Sequence, residues 1–172
     1  RNHLRSYPRC NPRESGFKGF TLTEVLITIG ITLVLVASAA PIYSNLQVSA
    51  QLNENTSQII QTMRTARERS MARINNASHG VYFEMNPLAN DKYILYQGDS
   101  YALRDTSYDR EEILDPSLNL SSTGFTLTST DVDVNFSKGL GVSGNIGAII
   151  LTHEVNGDRE IILNTYGEVE EN

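Results

Sequence analysis

The sequence predicts an α+β fold in which a long N-terminal α-helix, with a transmembrane first half, packs on a C-terminal antiparallel β-sheet domain. Apolar residues dominate positions 20–40 and then recur at helical spacing to about residue 74. From residue 79 the apolar period becomes two, which is typical of half-buried strands. The 172 residues suit one domain with a terminal appendage.

The first half of the helix is predicted to cross a membrane. Residues 20–40 form a run of 21 residues with one charge, Glu24, and a hydrocarbon core needs about 20 apolar residues. The head before it, residues 1–19, carries five basic residues and one acid, which gives +4: Arg1, Arg5, Arg9, Arg13, Lys18 and Glu14. By the positive-inside rule the head stays cytoplasmic and residues 41–172 become extracytoplasmic.

Beyond Pro41 the helix continues with one apolar seam and is predicted to end near Ile74. Proline removes a backbone donor, so a bend is expected there. Asn75-Asn76 offers a stop, and the same periodicity places Arg64 on a polar face. The seam repeats at alternating steps of four and three: Leu52, Thr56, Ile59, Met63, Ala66 and Ser70.

The remainder is predicted to be all-β, with an exposed loop at 98–110 and no disulfide, because the chain has one cysteine. Asn156-Gly157 is the strongest hairpin signal, since a primed turn needs positive φ at both central positions. The predicted strands are 80–85, 92–97, 111–114, 125–130, 131–136, 148–155 and 159–163.

One segment carries the functional prediction. Lys18-Gly19-Phe20-Thr21-Leu22-Thr23-Glu24 resembles the type III signal peptide of type IV pilins and type II secretion pseudopilins. The resemblance implies that a prepilin peptidase cuts between Gly19 and Phe20, and that the new N-terminal Phe20 is N-methylated. It also implies an assembly role for Glu24, whose carboxylate would face the amine of a neighbouring subunit.

The resemblance also implies a domain organisation and a subcellular location. Residues 1–19 would be a cleaved leader, residues 20–40 a transmembrane and assembly segment, and residues 41–172 a pilin-like domain. The protein would be a single-pass bacterial inner-membrane protein that joins a filament. Its partners would be other pilin or pseudopilin subunits, prepilin peptidase, the inner-membrane assembly platform and the membrane. Because the chain begins without Met, we expect the true start of the leader to lie upstream.

Later features refine the resemblance. Pro41 stands where many pilins carry a proline. The resemblance implies that the stretch between Gly30 and Pro41 loses helix, and so bends, in a filament. Met63 to Ser70 and the closing Tyr166-Gly167-Glu168-Val169 are similar to the GspH/FimT-type minor pseudopilins. The sequence therefore favours a minor pseudopilin or pilin subunit with no enzymatic activity.

Catalytic and cofactor motifs are incomplete. Residues 139–144 read GxGxxG, but a strand-like run follows where a dinucleotide site needs a helix. His153-Glu154 lacks the second histidine of a zincin, and Ser78-His79 fits a strand start better than a nucleophile and base. We expect no cofactor and no metal, although an irregular calcium site at Asp131, Asp133 and Asn135 stays open.

Two other functions stay open. A conventional signal peptide cut near Ala39 would give a periplasmic protein. A DNA-binding minor pilin of a competence system would need a basic surface, but residues 20–172 hold 9 basic and 19 acidic residues, a net charge of -10. This acidic balance disfavours nucleic acid as a partner. The sequence does not distinguish a secretion machine from a competence or adhesive one.

Overall fold

In a computed structural model of the chain, the described residues are 19–172 apart from 87 and 156, without the side chains of 39–42 and 44. The predicted leader therefore lies outside the described residues except for Gly19. The chain divides into two compact units, Arg1–Pro41 and Ile42–Asn172. Helix α1 covers Leu22–Met71, so it begins in the first unit and ends in the second.

The transmembrane part of the predicted fold is wrong. Within the described ranges, no helix combines the length and the apolarity that crossing a membrane requires. A span needs about 20 consecutive, mainly apolar residues. The described side chains of this stretch end at Ser38, and Thr23, Glu24, Thr28 and Thr32 interrupt them. This finding contradicts both the predicted pilin-like fold class and the predicted single-pass location in the bacterial inner membrane. The structure instead joins α1 to a mainly antiparallel β domain.

Helix α1 ends close to its predicted stop. A short 3₁₀ helix, Ile74–Asn76, follows Met71. Arg73, Asn75 and Asn76 each adopt a φ of 54°, in the left-handed region. Helix α1 thus ends at Met71, three residues before the predicted Ile74, and the left-handed Arg73 precedes the predicted stop. Asparagine enters the left-handed region more readily than most residues, so Asn75-Asn76 keeps the chain from resuming the helix.

Nine strands follow within the described residues. The runs 92–97 and 131–136 were predicted to the residue, and four others lie within two residues of their predicted bounds. The run 125–130 contracts to two residues. The strands are β1 (His79–Glu84), β2 (Lys92–Gln97), β3 (Arg110–Ile113), β4 (Leu118–Thr123), β5 (Leu127–Thr128), β6 (Asp131–Phe136), β7 (Gly147–His153), β8 (Asp158–Leu163) and β9 (Val169–Glu171).

The strands form two antiparallel sheets. Sheet A has the order β3-β2-β1-β6-β5, and sheet B has the order β4-β7-β8-β9. Strands β7 and β8 form the predicted hairpin, in which the His153 amide donates to the Gly157 carbonyl at 3.0 Å. The first residue of the predicted turn, Asn156, lies outside the described residues.

One face of α1 lies in the core of the second unit. All six residues of the predicted seam, from Leu52 to Ser70, are buried. Their apolar members belong to one core with the inner faces of both sheets, which include Phe83 and Val134 of sheet A and Leu151 of sheet B. Side chains of α1 also bond to strands of both sheets, because the Ser70 hydroxyl contacts β1 and Gln51 contacts His153 of β7. The seam prediction is confirmed.

The seam contains two buried hydroxyls with different surroundings. Ser70 Oγ accepts a hydrogen bond from the His79 amide at 2.8 Å and lies 3.3 Å from the His79 carbonyl oxygen. Thr56 Oγ1 has no partner among the described residues. A buried hydroxyl without a partner lowers the free energy of unfolding, whereas a bonded one raises it.

We therefore expect opposite effects from two substitutions on one helix face. Thr56→Val keeps the side-chain shape, removes the unpaired hydroxyl and should raise the free energy of unfolding by about 1 kcal/mol. Ser70→Ala deprives the His79 amide of its acceptor and should lower it by about 1–2 kcal/mol. Denaturant titration of both variants measures the two changes. Destabilisation by Thr56→Val as large as that by Ser70→Ala would contradict this description of the seam.

Candidate functional site

The predicted cleavage site lies directly before helix α1. Gly19, Phe20 and Thr21 precede the helix and are exposed, with Phe20 at 82%. The Glu24 amide donates to both the carbonyl and the hydroxyl oxygen of Thr21, at 3.1 and 3.3 Å. Thr21 thus caps the first turn, and the Gly19–Phe20 bond is left outside the helix.

The predicted assembly residue lies in that first turn. Glu24 is exposed, and among the described residues its carboxylate has neither a hydrogen-bond nor an ion-pair partner. Its local position is favourable, because an acid near a helix N-terminus interacts with the positive end of the helix dipole. Thr21 and Glu24 also match the capping-box pattern, in which threonine precedes an acid by three residues. That signal for Thr21 was missed in the sequence.

Helix α1 exposes apolar side chains on all its faces behind this turn. Ten large apolar residues between 22 and 36 are exposed. Consecutive runs such as Val25 to Ile27 and Leu33 to Val36 cover the whole circumference, since each residue advances the helix by about 100°. A helix that is apolar on every side is normally buried by its surroundings. Gly30 and Pro41 both lie within α1, and the bend proposed between them stays a prediction.

The arginines at the end of α1 bind backbone carbonyls of the second unit. Arg64 Nη2 donates to the Val169 carbonyl at 3.1 Å. Arg67 donates to the carbonyls of Gly141 and Tyr166 at 3.2 and 2.9 Å. These two guanidinium groups therefore hold the C-terminal segment against the helix, a structural use that the sequence left open.

The polar residues of β6 bond to tyrosines on the outer face of sheet A. The Tyr82 hydroxyl donates to Asp131 at 2.7 Å, and the Tyr96 hydroxyl donates to Asp133 at 2.6 Å. Asn135 Nδ2 donates to the Tyr96 hydroxyl oxygen at 3.0 Å. Within the described ranges, no group of three or more His, Cys, Asp or Glu side chains is placed to hold a metal ion.

The predicted loop 98–110 lies partly across this face. It contains two short 3₁₀ helices, Tyr101–Leu103 and Thr106–Tyr108. The Tyr101 ring stacks on Tyr82 with centroids 3.7 Å apart, and the Arg104 guanidinium lies 3.7 Å from the Tyr101 centroid on a cation–π contact. Arg104 also pairs with Asp109 at 2.8 Å. These contacts fix the loop, so the prediction of a simply exposed loop is only half right.

Ser78 and His79 are not arranged as a nucleophile and base. The Ser78 hydroxyl bonds to the Gly98 carbonyl and the Asp99 carboxylate. His79 opens β1 and is buried. Burial and the nearby charge of Arg69 lower the pKa of His79 below its usual value. The two residues therefore serve the start of the strand, as the sequence favoured.

Comparisons with protein-family models, with curated proteins and with solved structures found no match to this chain.

The tyrosines of the outer face give a pH-dependent prediction. Burial, followed by the hydrogen bond to Asp131, raises the pKa of Tyr82. Burial and the Asp133 charge likewise raise the pKa of Tyr96. An unfolded tyrosine ionises near pH 10, while the folded groups retain their protons. The folded state then binds more protons, so the free energy of unfolding should fall as the pH rises above about 10.

We expect Tyr82→Phe to reduce this alkaline loss, by up to about 1.4 kcal/mol per pH unit. Denaturant titrations between neutral pH and pH 11 measure the slope, and Tyr166→Phe provides the control at an exposed tyrosine. A slope in Tyr82→Phe equal to that of the control would contradict the prediction.

Proposed function

We propose that this chain is a non-catalytic minor subunit of a type IV pilin-type or type II secretion pseudopilin filament. A prepilin peptidase would cut it between Gly19 and Phe20, and α1 would then pack against neighbouring subunits. The observation that carries this proposal is the exposed apolar surface of α1, directly behind an exposed Gly19–Phe20 bond. The resemblance of residues 18–24 to the prepilin signal supplies the processing step.

The apolar surface surrounds α1, so several neighbouring subunits are needed to bury it. Fully burying a large apolar side chain contributes about 1.5–3 kcal/mol, so ten such side chains supply a strong drive for association. A single groove would cover only one stripe of the helix. Helices of several neighbouring subunits cover all of it, which is the arrangement inside a helical filament.

Glu24 gives this association a fixed register. A carboxylate that enters an apolar interface without a partner is strongly unfavourable. Cleavage after Gly19 would create a positive amine on Phe20, four residues before Glu24. Pairing of that amine with Glu24 of a neighbour would neutralise both charges, and only subunits at the correct stagger would achieve it.

The second unit favours a protein-binding role over a nucleic-acid one. Arg64 and Arg67 already donate to backbone carbonyls, and residues 42–172 hold 9 basic and 18 acidic residues, a net charge of -9. A surface that contacts phosphates needs unengaged cations. The competence-type alternative therefore has less support than a filament subunit that contacts other proteins.

Cleavage can be tested directly. Co-expression of the full chain with a prepilin peptidase should remove the residues up to Gly19, which intact mass analysis detects. Gly19→Val should block removal, because a branched side chain obstructs the backbone at the cut. Gly30→Ala is the control at a helical glycine and should be processed normally. An uncut chain in cells with an active peptidase would refute the assignment.

The role of Glu24 can be separated from processing. Glu24→Gln keeps the shape and removes the charge, so cleavage should proceed while incorporation into filaments falls at least about tenfold, equivalent to about 1.4 kcal/mol. Thr23→Val, at the adjacent exposed position, should assemble normally. The measurement is the amount of chain in sheared filaments. Equal recovery of both variants would count against the proposed pairing.

A further inference from the structure

The edges of the two sheets differ in how their outward backbone groups are bonded. An open edge strand presents unpaired N–H and C=O groups that can pair with another chain. The edge strands are β3 and β5 in sheet A and β4 and β9 in sheet B. At three of these four edges, side chains form hydrogen bonds to backbone groups that point away from the sheet.

Each edge of sheet B has an outward backbone group that bonds to a charged side chain. On β4 the Leu120 amide points away from β7 and donates to the buried Asp91 carboxylate at 2.6 Å. On β9 the outward carbonyl of Val169 accepts from Arg64 at 3.1 Å. An added strand would have to displace a charged group at either edge.

The β5 edge of sheet A is short, and a side-chain amide bonds to the backbone beside it. Strand β5 has only two residues, and the residue before it, Thr126, is bonded through both backbone groups. Its amide donates to Asn145 Oδ1 at 2.7 Å, and its carbonyl accepts from Asn145 Nδ2 at 3.0 Å.

Strand β3 is the exception. The Leu114 amide donates to the Asp91 carbonyl at 2.9 Å, which fixes the alternation of the ladder with β2. Arg110 and Glu112 therefore exchange hydrogen bonds with β2, while the amides and carbonyls of Glu111 and Ile113 point outward. In the described part of the chain no side chain bonds to these outward groups, and all four residues of β3 are exposed.

A groove lies beside this edge. A cavity of about 640 Å³ separates β3 from α1, and Tyr93, Leu95, Arg110 and Glu112 line its sheet side. Polar side chains of α1 such as Gln58 and Thr62 line the other side. The side chains of an added strand that point toward α1 would have space here.

We propose that β3 is an association edge at which a second copy of this chain adds its own β3 in antiparallel orientation. With Glu111 opposite its symmetry mate, Arg110 of each copy faces Glu112 of the other. Neither residue has an ion-pair partner among the described residues. On the opposite face the Lys92 ammonium of each copy lies 3.6 Å from Glu111 and 3.3 Å from Glu84, so it reduces the repulsion between the two facing glutamates.

Backbone alternation and charge together select this register over its neighbours. A shift by one residue places the outward groups of Glu111 opposite a residue whose backbone groups face β2, so the two strands could not exchange hydrogen bonds. A shift by two places either Glu112 or Arg110 opposite its own mate. Like charges directly opposite each other destabilise a strand pair, whereas opposite charges stabilise it. The inference concerns the unit Ile42–Asn172 and does not rest on the proposed filament function.

Cysteine pairing tests both the edge and the register. In this register residues 110 and 112 of the two copies form a non-hydrogen-bonded pair, with Cα atoms about 4.5 Å apart, which suits a disulfide. The full chain with Cys10→Ser has no other thiol. Arg110→Cys and Glu112→Cys are made separately in that background, and the two proteins are mixed under mild oxidation. Glu112→Cys alone reports the register shifted by two residues, in which residue 112 faces its own mate.

The proposal predicts a cross-linked dimer from the Arg110→Cys and Glu112→Cys mixture, and little from either variant alone. Thermal melts that match the parent establish that each variant is folded. A dimer that forms as readily from Glu112→Cys alone would overturn the register. No cross-link from folded variants would overturn self-association, and a different extended segment would then be the occupant of this edge.

Discussion

Five apolar side chains of α1 lie in the same core as the inner faces of both sheets: Leu52, Ile59, Ile60, Met63 and Ala66. Each sheet alone would expose its apolar face to water, and burial of such faces is the main favourable contribution to folding. The polar contacts of α1 reinforce this arrangement, because they extend to strands of both sheets. The helix face thus determines how the two sheets can be combined in one unit.

Around that core the strands are short, and side-chain hydrogen bonds connect the segments that the strands do not. Asp91 is buried and accepts hydrogen bonds from the amides of Asn86 and Leu120, so one carboxylate connects the β1–β2 loop to sheet B. Arg64 and Arg67 secure the C-terminal segment. The outer face of sheet A is closed by tyrosines paired with carboxylates. A small domain with short strands gains order from such contacts, and β3 is left as the edge without them in the described part of the chain.

The sequence predicted the helices and strands whose apolar residues recur at a regular local period. It failed where contacts with residues distant in sequence determine the structure. The seam from Leu52 to Ser70 and strand β6 were predictable, because burial alternates with the helical or strand period. Strand β4 was missed because serine and asparagine dilute its pattern, and β9 because it is acidic and depends on β8. The prediction of a membrane span was wrong, because it counted the apolar residues of 20–40 and gave too little weight to Glu24 and the threonines that interrupt them. The bonding of Asp91 and Arg64 requires residues distant in sequence, which no local pattern reveals.

The central claim is that the buried face of α1 makes both sheets part of one cooperative unit, and native-state hydrogen exchange tests it most directly. The slowest amides of α1, of β6 and of β7 should share one free energy of opening. Met63→Ala should lower that value by the same amount at all three places, by about 2–5 kcal/mol. Different opening energies for the two sheets, or a loss confined to one sheet, would contradict the claim.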